Sequence, residues 1–320
     1  MAIRFLKFIY QTLQQSLRTS WVLFKIMIPV SIVIKVVTEL GLLPYIGKIL
    51  SPIMKLVGLP GEMGIVWATS LLVNIYGGLL SFVAIASQVE VSHAQLTVLL
   101  SMILVAHSFP VELQISSKAG VKLWVMFVIR FGFAIVLGVI LNLIYTYGNY
   151  LQEAIVLNPI VSNRADSLWL WALNELKNYA LIIVIIFVLI LALKLLEKVG
   201  VVKLLNKMLY PVLKVLGIGK EVIPISLIGL TLGLSYGGAL IIDEAKTKKL
   251  PKRDVFYAMT LMGLCHSMIE DTLLMISFGG HVSGIVFARI IFALIITYII
   301  VSITKRMDDS RINSLMNSNL

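Results

Sequence analysis

The sequence predicts an all-α membrane protein of two inverted-topology repeats, each with about three transmembrane helices, a re-entrant hairpin and an interfacial amphipathic helix. Three observations lead there. Apolar residues dominate the chain, polar residues recur inside it at one fixed interval, and the cations are shared unevenly between its loops.

Of 320 residues, 59% are hydrophobic and 13% charged, with a mean hydropathy of +0.98. A water-soluble domain carries about 25% charged residues and cannot bury apolar surface at this density. Residues 21–37, 96–106, 124–144, 179–193 and 285–301 are apolar nearly throughout, and several approach the roughly 20 residues that cross a hydrocarbon core. The first stretch lacks a small-residue cleavage site and has a counterpart in mid-chain, so it is expected to stay in the mature fold. Cys265 is the single cysteine, which excludes an internal disulfide and a Cys-rich metal centre. The net charge of +11 fits cations gathered on a cytoplasmic face, and nucleic acid is not an expected partner.

The interval is the one from His107 to His266, an offset of 159. Leu50-Ser51-Pro52-Ile53-Met54-Lys55-Leu56-Val57-Gly58 aligns with Leu209-Tyr210-Pro211-Val212-Leu213-Lys214-Val215-Leu216-Gly217. At that offset Lys35 meets Lys194, Gly41 meets Gly200, His107-Ser108 meets His266-Ser267, Glu112 meets Asp271 and Arg130 meets Arg289. Tyr76-Gly77-Gly78 meets Tyr236-Gly237-Gly238 after a one-residue insertion. Self-similarity of this kind divides the chain into a first unit, 1–150, an external connection, 151–166, and a second unit, 167–320.

Each unit reads alike. A long apolar helix (near 21–39, and 178–196) leads to a stretch with lysines seven apart, Lys48 and Lys55 or Lys207 and Lys214. That spacing places both on one face, as in a helix lying on a membrane surface. An apolar segment interrupted by Tyr-Gly-Gly follows (63–88, and 222–242), then helices near 94–113 and 121–146, or 255–279 and 283–304.

The interrupted segments could cross the bilayer or dip in and return. If both cross, with the N-terminus inside, 13 Lys and Arg at helix ends lie inside and nine outside. If both return, 18 lie inside and only Lys48, Lys55, Arg164 and Lys177 outside. The positive-inside rule prefers the second arrangement, with both termini cytoplasmic and the inner (plasma) membrane as location. Three crossings per unit invert the second unit. Gln88–Gln95, without Lys or Arg, and the basic stretch Lys246–Arg253 should then face opposite sides. Inverted repeats with broken helices are a recurring transporter architecture.

Ionisable groups deep in a membrane usually face the bundle or a wet cavity. His107, Ser108, Glu112 and Arg130, with His266, Ser267, Glu270, Asp271 and Arg289, are therefore candidates for binding a substrate or ion. Imidazole titrates near neutral pH and suits a coupling role. The bland reading is that Arg130 pairs with Glu112, and Arg289 with Asp271, merely to lock helices. Asn74, Tyr76, Gly77, Gly78, Ser235, Tyr236, Gly237 and Gly238 are hairpin-tip candidates, where half-helix ends would present backbone groups to a ligand. Close packing by glycine is the bland reading there. No Walker A, HExxH or Cys-x-x-Cys sequence occurs, so an enzyme is not expected.

Asn-x-Tyr-Gly-Gly and Ser-Tyr-Gly-Gly, each followed by a helix with His-Ser and an acidic residue, resemble the Gate, or nucleoside-recognition, domain. That domain occurs in concentrative nucleoside transporters, ferrous-iron transporters and spore maturation membrane proteins. The resemblance covers about 40–146 and 199–304 and is closest to stand-alone nucleoside-recognition domain proteins. It implies re-entrant hairpins and inverted repeats, and it leaves the substrate open. The expected function is a secondary transporter or permease for a small polar solute, nucleosides included, coupled to H⁺ or Na⁺ and needing no cofactor. The alternatives are a divalent-metal permease through His107, His266, Glu112 and Asp271, or a non-transporting component of envelope or spore maturation. The expected partners are the lipid bilayer and a small molecule or ion; self-association stays open.

Overall fold

The computed structural model describes residues 2–86, 88–155, 167–247 and 250–317. Among them there are fifteen helices and no strand. In the first half these are α1 (Ala2–Glu39), α2 (Leu43–Leu56), α3 (Met63–Leu72), α4 (Ile75–Ile85), α5 (His93–Val105), α6 (Phe109–Lys118) and α7 (Leu123–Tyr147). The second half repeats the order with α8 (Leu168–Val199), α9 (Val201–Val215), α10 (Ile223–Leu232), α11 (Leu234–Thr247), α12 (Lys252–Leu264), α13 (Glu270–Ser277) and α14 (Ser283–Thr304), whose residues 283–288 are wound as a π-helix. A short α15 (Asp309–Leu315) closes the chain. Most of the connection 151–166, with Arg164, lies outside the described residues, as do Lys248 and Lys249.

Among the described residues, four spans are long and apolar enough to cross a membrane: His93–Lys118, Leu123–Tyr147, Leu168–Val199 and Ser283–Thr304. The first is 83% buried, against 39%, 19% and 44% for the others, so α5 and α6 run through the centre. The outer helices present large apolar side chains such as Val128, Ile144, Phe287, Ile291 and Ile303. An exposed apolar surface of this extent needs lipid or another partner to cover it.

The segments expected to be interrupted do fold back. Helices α3 and α4, of 10 and 11 residues, pack on each other, as do α10 and α11. The chain turns at Val73–Asn74, where the Asn74 side chain accepts from Gly77 N at 2.8 Å and caps α4. In the second half the turn is Gly233, whose φ of 116° suits only glycine. Tyr-Gly-Gly therefore lies one step beyond each turn, in the first turn of α4 and of α11. There glycine brings the arms together: a Cβ on Gly78 would stand 2.6 Å from Cβ of Ser70, and one on Gly237 the same distance from Cα of Gly229.

One expectation needs correction. The helices read as continuous over 94–113 and 255–279 are each broken, between Val105 and Phe109 and between Leu264 and Glu270. Buried apolar residues flank both gaps, Val105, Ala106 and Phe109 in one and Leu264, Cys265 and Ile269 in the other, so hydropathy does not mark the breaks.

Loop contacts define two ends of the molecule. At one end, residues 91–94 hydrogen-bond to 151–155, and the Tyr150 ring lies 5.6 Å from that of His281. At the other, Lys122 N donates to Leu315 O, Asn317 N to Gly120 O, and Arg253 to Thr304 O, Met307 O and Asp309. Along one flank α1 and α8 run antiparallel. Ser31 bonds Glu175 at 2.6 Å, Phe24 meets Tyr179, and Lys194 reaches back to Thr12 at 3.2 Å.

Candidate functional site

Both breaks are built in the same way. Ser108 and Ser267, equivalent in the two repeats, hold left-handed backbone, with φ of 52° and 48°. That conformation costs a non-glycine residue about 1–2 kcal/mol and is retained where surrounding structure enforces it. The hairpins help enforce it: Ser108 N donates to Ser70 O at 2.9 Å, and Met268 N to Leu230 O at 2.8 Å. Pro110 suits the start of α6; the equivalent residue in the second half is Ile269.

A broken helix leaves carbonyls without partners, and the two buried arginines supply donors. Arg130 Nε donates to Val105 O at 3.0 Å, and Arg289 Nη2 donates to His266 O. Arg130 also meets Glu112 at 2.5 Å and lies over the Phe109 ring. The lock expected of Arg130 and Glu112 is thus present. The one expected of Arg289 and Asp271 is not: Arg289 has turned to the backbone, and among the described residues Asp271 forms no ion pair. Arg130 Nη2 and Arg289 Nε are buried and find no hydrogen-bond acceptor among the described residues.

The histidines meet at the centre. His107 Nδ1 lies 2.7 Å from Ile103 O, and His266 Nδ1 lies 2.8 Å from Met262 O. A carbonyl oxygen can only accept, so each Nδ1 carries hydrogen and each neutral ring turns a bare Nε2 inward. The two Nε2 atoms are 3.3 Å apart, and Glu112 Oε1 is 3.4 Å from one and 3.3 Å from the other. Three lone-pair atoms cannot face one another in a buried site without a proton or a cation between them. One carboxylate oxygen of Asp271 lies within 4.8 Å of a ring nitrogen of each histidine.

Around this triangle the other candidates divide. Tyr76, on the first half's hairpin, lies against the Glu270 carboxylate of the second, one more contact between the halves. Glu270 and Asp271 fall in the first turn of α13, and Glu112 in that of α6, where the helix dipole favours negative charge. Asn74 caps its helix rather than facing the cluster, and Gly77, Gly78, Gly237 and Gly238 are buried in packing. The side chains of Ser235 and Tyr236 lie outside the described residues. Sequence reasoning missed the carbonyls of Ile103 and Met262, which the i−4 position of each histidine could have flagged.

A family model described as Gate, nucleoside recognition, matches residues 20–153. The chain is 25% identical over 302 residues to the uncharacterized membrane protein YvoD of Bacillus subtilis (strain 168), covering 92% of this chain and 94% of that one. No solved structure matches it. The Gate match thus spans residues 20–153 of a multi-pass membrane protein, and the relative similar to it along nearly its whole length is a membrane protein too.

Proposed function

We propose that this chain is an ion-coupled secondary transporter, or permease, of the inner membrane for a small polar solute, with its site where two inverted repeats meet. One observation carries the reading: His107 and His266, equivalent in the two repeats, touch Nε2 to Nε2 at 3.3 Å. Equivalent groups can touch only on the axis that relates their units, and transporters built from inverted repeats bind at that axis, near the midplane.

Further features support inversion. Equivalent helices α1 and α8 run antiparallel, as a two-fold axis in the membrane plane requires. The loops at 120–122, 253 and 304–317 share one end. That grouping agrees with re-entrant hairpins and with cations gathered on one side. If the hairpin segments crossed, the bilayer would separate Lys122 from Arg253. At 10–14 residues each, the hairpin arms are also shorter than the roughly 20 residues of a span. The unpartnered donors of Arg130 and Arg289 suit a polar solute beside the cation.

Purified protein in proteoliposomes, given nucleosides, nucleobases and divalent cations under imposed ion gradients, should accumulate one solute class. That uptake should vanish in His107→Ala and in His266→Ala. Impermeant labels at Gln88–Gln95 and Lys246–Arg253 should react from opposite sides. Labelling from one side would end the inverted-repeat reading. No gradient-dependent uptake by oriented, folded protein would favour the non-transporting alternative.

A further inference from the structure

We infer that the cation held between the two histidines is a divalent transition metal, in a tetrahedral site of His107 Nε2, His266 Nε2 and Glu112 Oε1 with Asp271 beside the fourth position. This inference rests on the central-site reading above and names the chemistry of its ion.

Spacing argues first. Bonds of about 2.0–2.1 Å at tetrahedral angles set ligand atoms about 3.3–3.4 Å apart, and the three facing atoms stand 3.3, 3.3 and 3.4 Å apart. A shared proton would draw its donor and acceptor to about 2.9–3.0 Å. Octahedral geometry at the same bond length would require edges of about 2.9 Å, and Mg²⁺ also prefers oxygen throughout. Two imidazoles with a carboxylate suit zinc, iron or a neighbouring metal instead.

Support behind the ligands argues second. Metal-binding histidines nearly always give their other N–H to a carbonyl or carboxylate, and ligating carboxylates are hydrogen-bonded in turn. Here Ile103 O and Met262 O take the two Nδ1 hydrogens, and Arg130 holds the outer oxygen of Glu112. His107, His266 and Glu112 are each buried and oriented from behind. The two breaks and helix α6 supply them, so the site would also clamp the two halves together.

The test uses the full chain in detergent micelles, titrated with Co²⁺ and Zn²⁺ alone and with Mg²⁺ and Na⁺ as controls. One equivalent of Co²⁺ should bind with the intense visible bands of four-coordinate cobalt, and Zn²⁺ should displace it and raise Tm. His107→Ala, His266→Ala and Glu112→Gln should each weaken binding at least ~10-fold. Asp271→Asn should alter the cobalt spectrum while leaving the fold intact, and so reports even where another variant misfolds. Weak six-coordinate bands, no binding by the folded wild type, or binding unchanged in the histidine variants would overturn the site. Metal binding without uptake in proteoliposomes would overturn the transporter reading and leave the site standing.

Discussion

In the first half of the molecule Glu112 and Arg130 form an ion pair at 2.5 Å; in the second, Asp271 and Arg289 stand at the equivalent positions and do not pair. Both arginines nevertheless perform one task, donating to a carbonyl at the broken end of a central helix. The surroundings diverge further. Arg130 lies against Phe109, with Phe127, Phe131 and Trp67 stacked beyond it, whereas the second-half counterparts of the three phenylalanines are Met268, Val286 and Ile290. The repeat keeps what the backbone break requires and varies the charge around it. One carboxylate is thereby held by a guanidinium while it faces the histidines, and the other stands near them with no ion pair among the described residues.

The sharpest way to break this comparison is to neutralise each acid. Glu112→Gln leaves Arg130 buried without its counter-charge and should cost about 3–5 kcal/mol. Asp271→Asn removes a charge that has no ion pair among the described residues and should cost nothing or stabilise slightly. Unfolding in mixed micelles measures both, and equal losses would mean that the halves are electrostatically alike. The hairpins should instead respond together. Gly78→Val and Gly237→Val each force a side chain into the facing arm and should cost about 1–3 kcal/mol. Gly132→Ala, where a Cβ would meet nothing within 4 Å, should be neutral or stabilise by up to about 1 kcal/mol. The smallest effect belongs to the breaks: Ser108→Gly and Ser267→Gly relieve left-handed strain and should each stabilise by up to about 1 kcal/mol. A gain in one half alone would show that the two breaks are not equivalent.

Much of this arrangement is legible before any coordinates. Recurrence at the single fixed interval marked His107 and His266, and the positive-φ residues Gly41, Gly58, Ser108 and Gly120 recur at that offset as Gly200, Gly217, Ser267 and Gly279. The pairing of Arg130 with Glu112 was expected from the same recurrence. The helix breaks were not, since Pro110 signals one of them and nothing in the second half signals the other. Tyr-Gly-Gly reads in sequence either as a hairpin tip or as close packing by glycine. Asn74 and Gly233 make the turns, and the glycine pair lets the arms approach.

Sequence by itself determined that the chain lives in lipid, that its two halves share a plan, and which buried polar residues stand out. Composition, register and charge are one-dimensional quantities that survive without coordinates. Only the tertiary structure decided that two histidines from opposite halves of the chain touch, that Glu112 completes their triangle, and that Arg289 turns from Asp271 to a backbone carbonyl. Those outcomes depend on where two helices unwind and cross, and the unpartnered carbonyls at the breaks draw both arginines to the backbone.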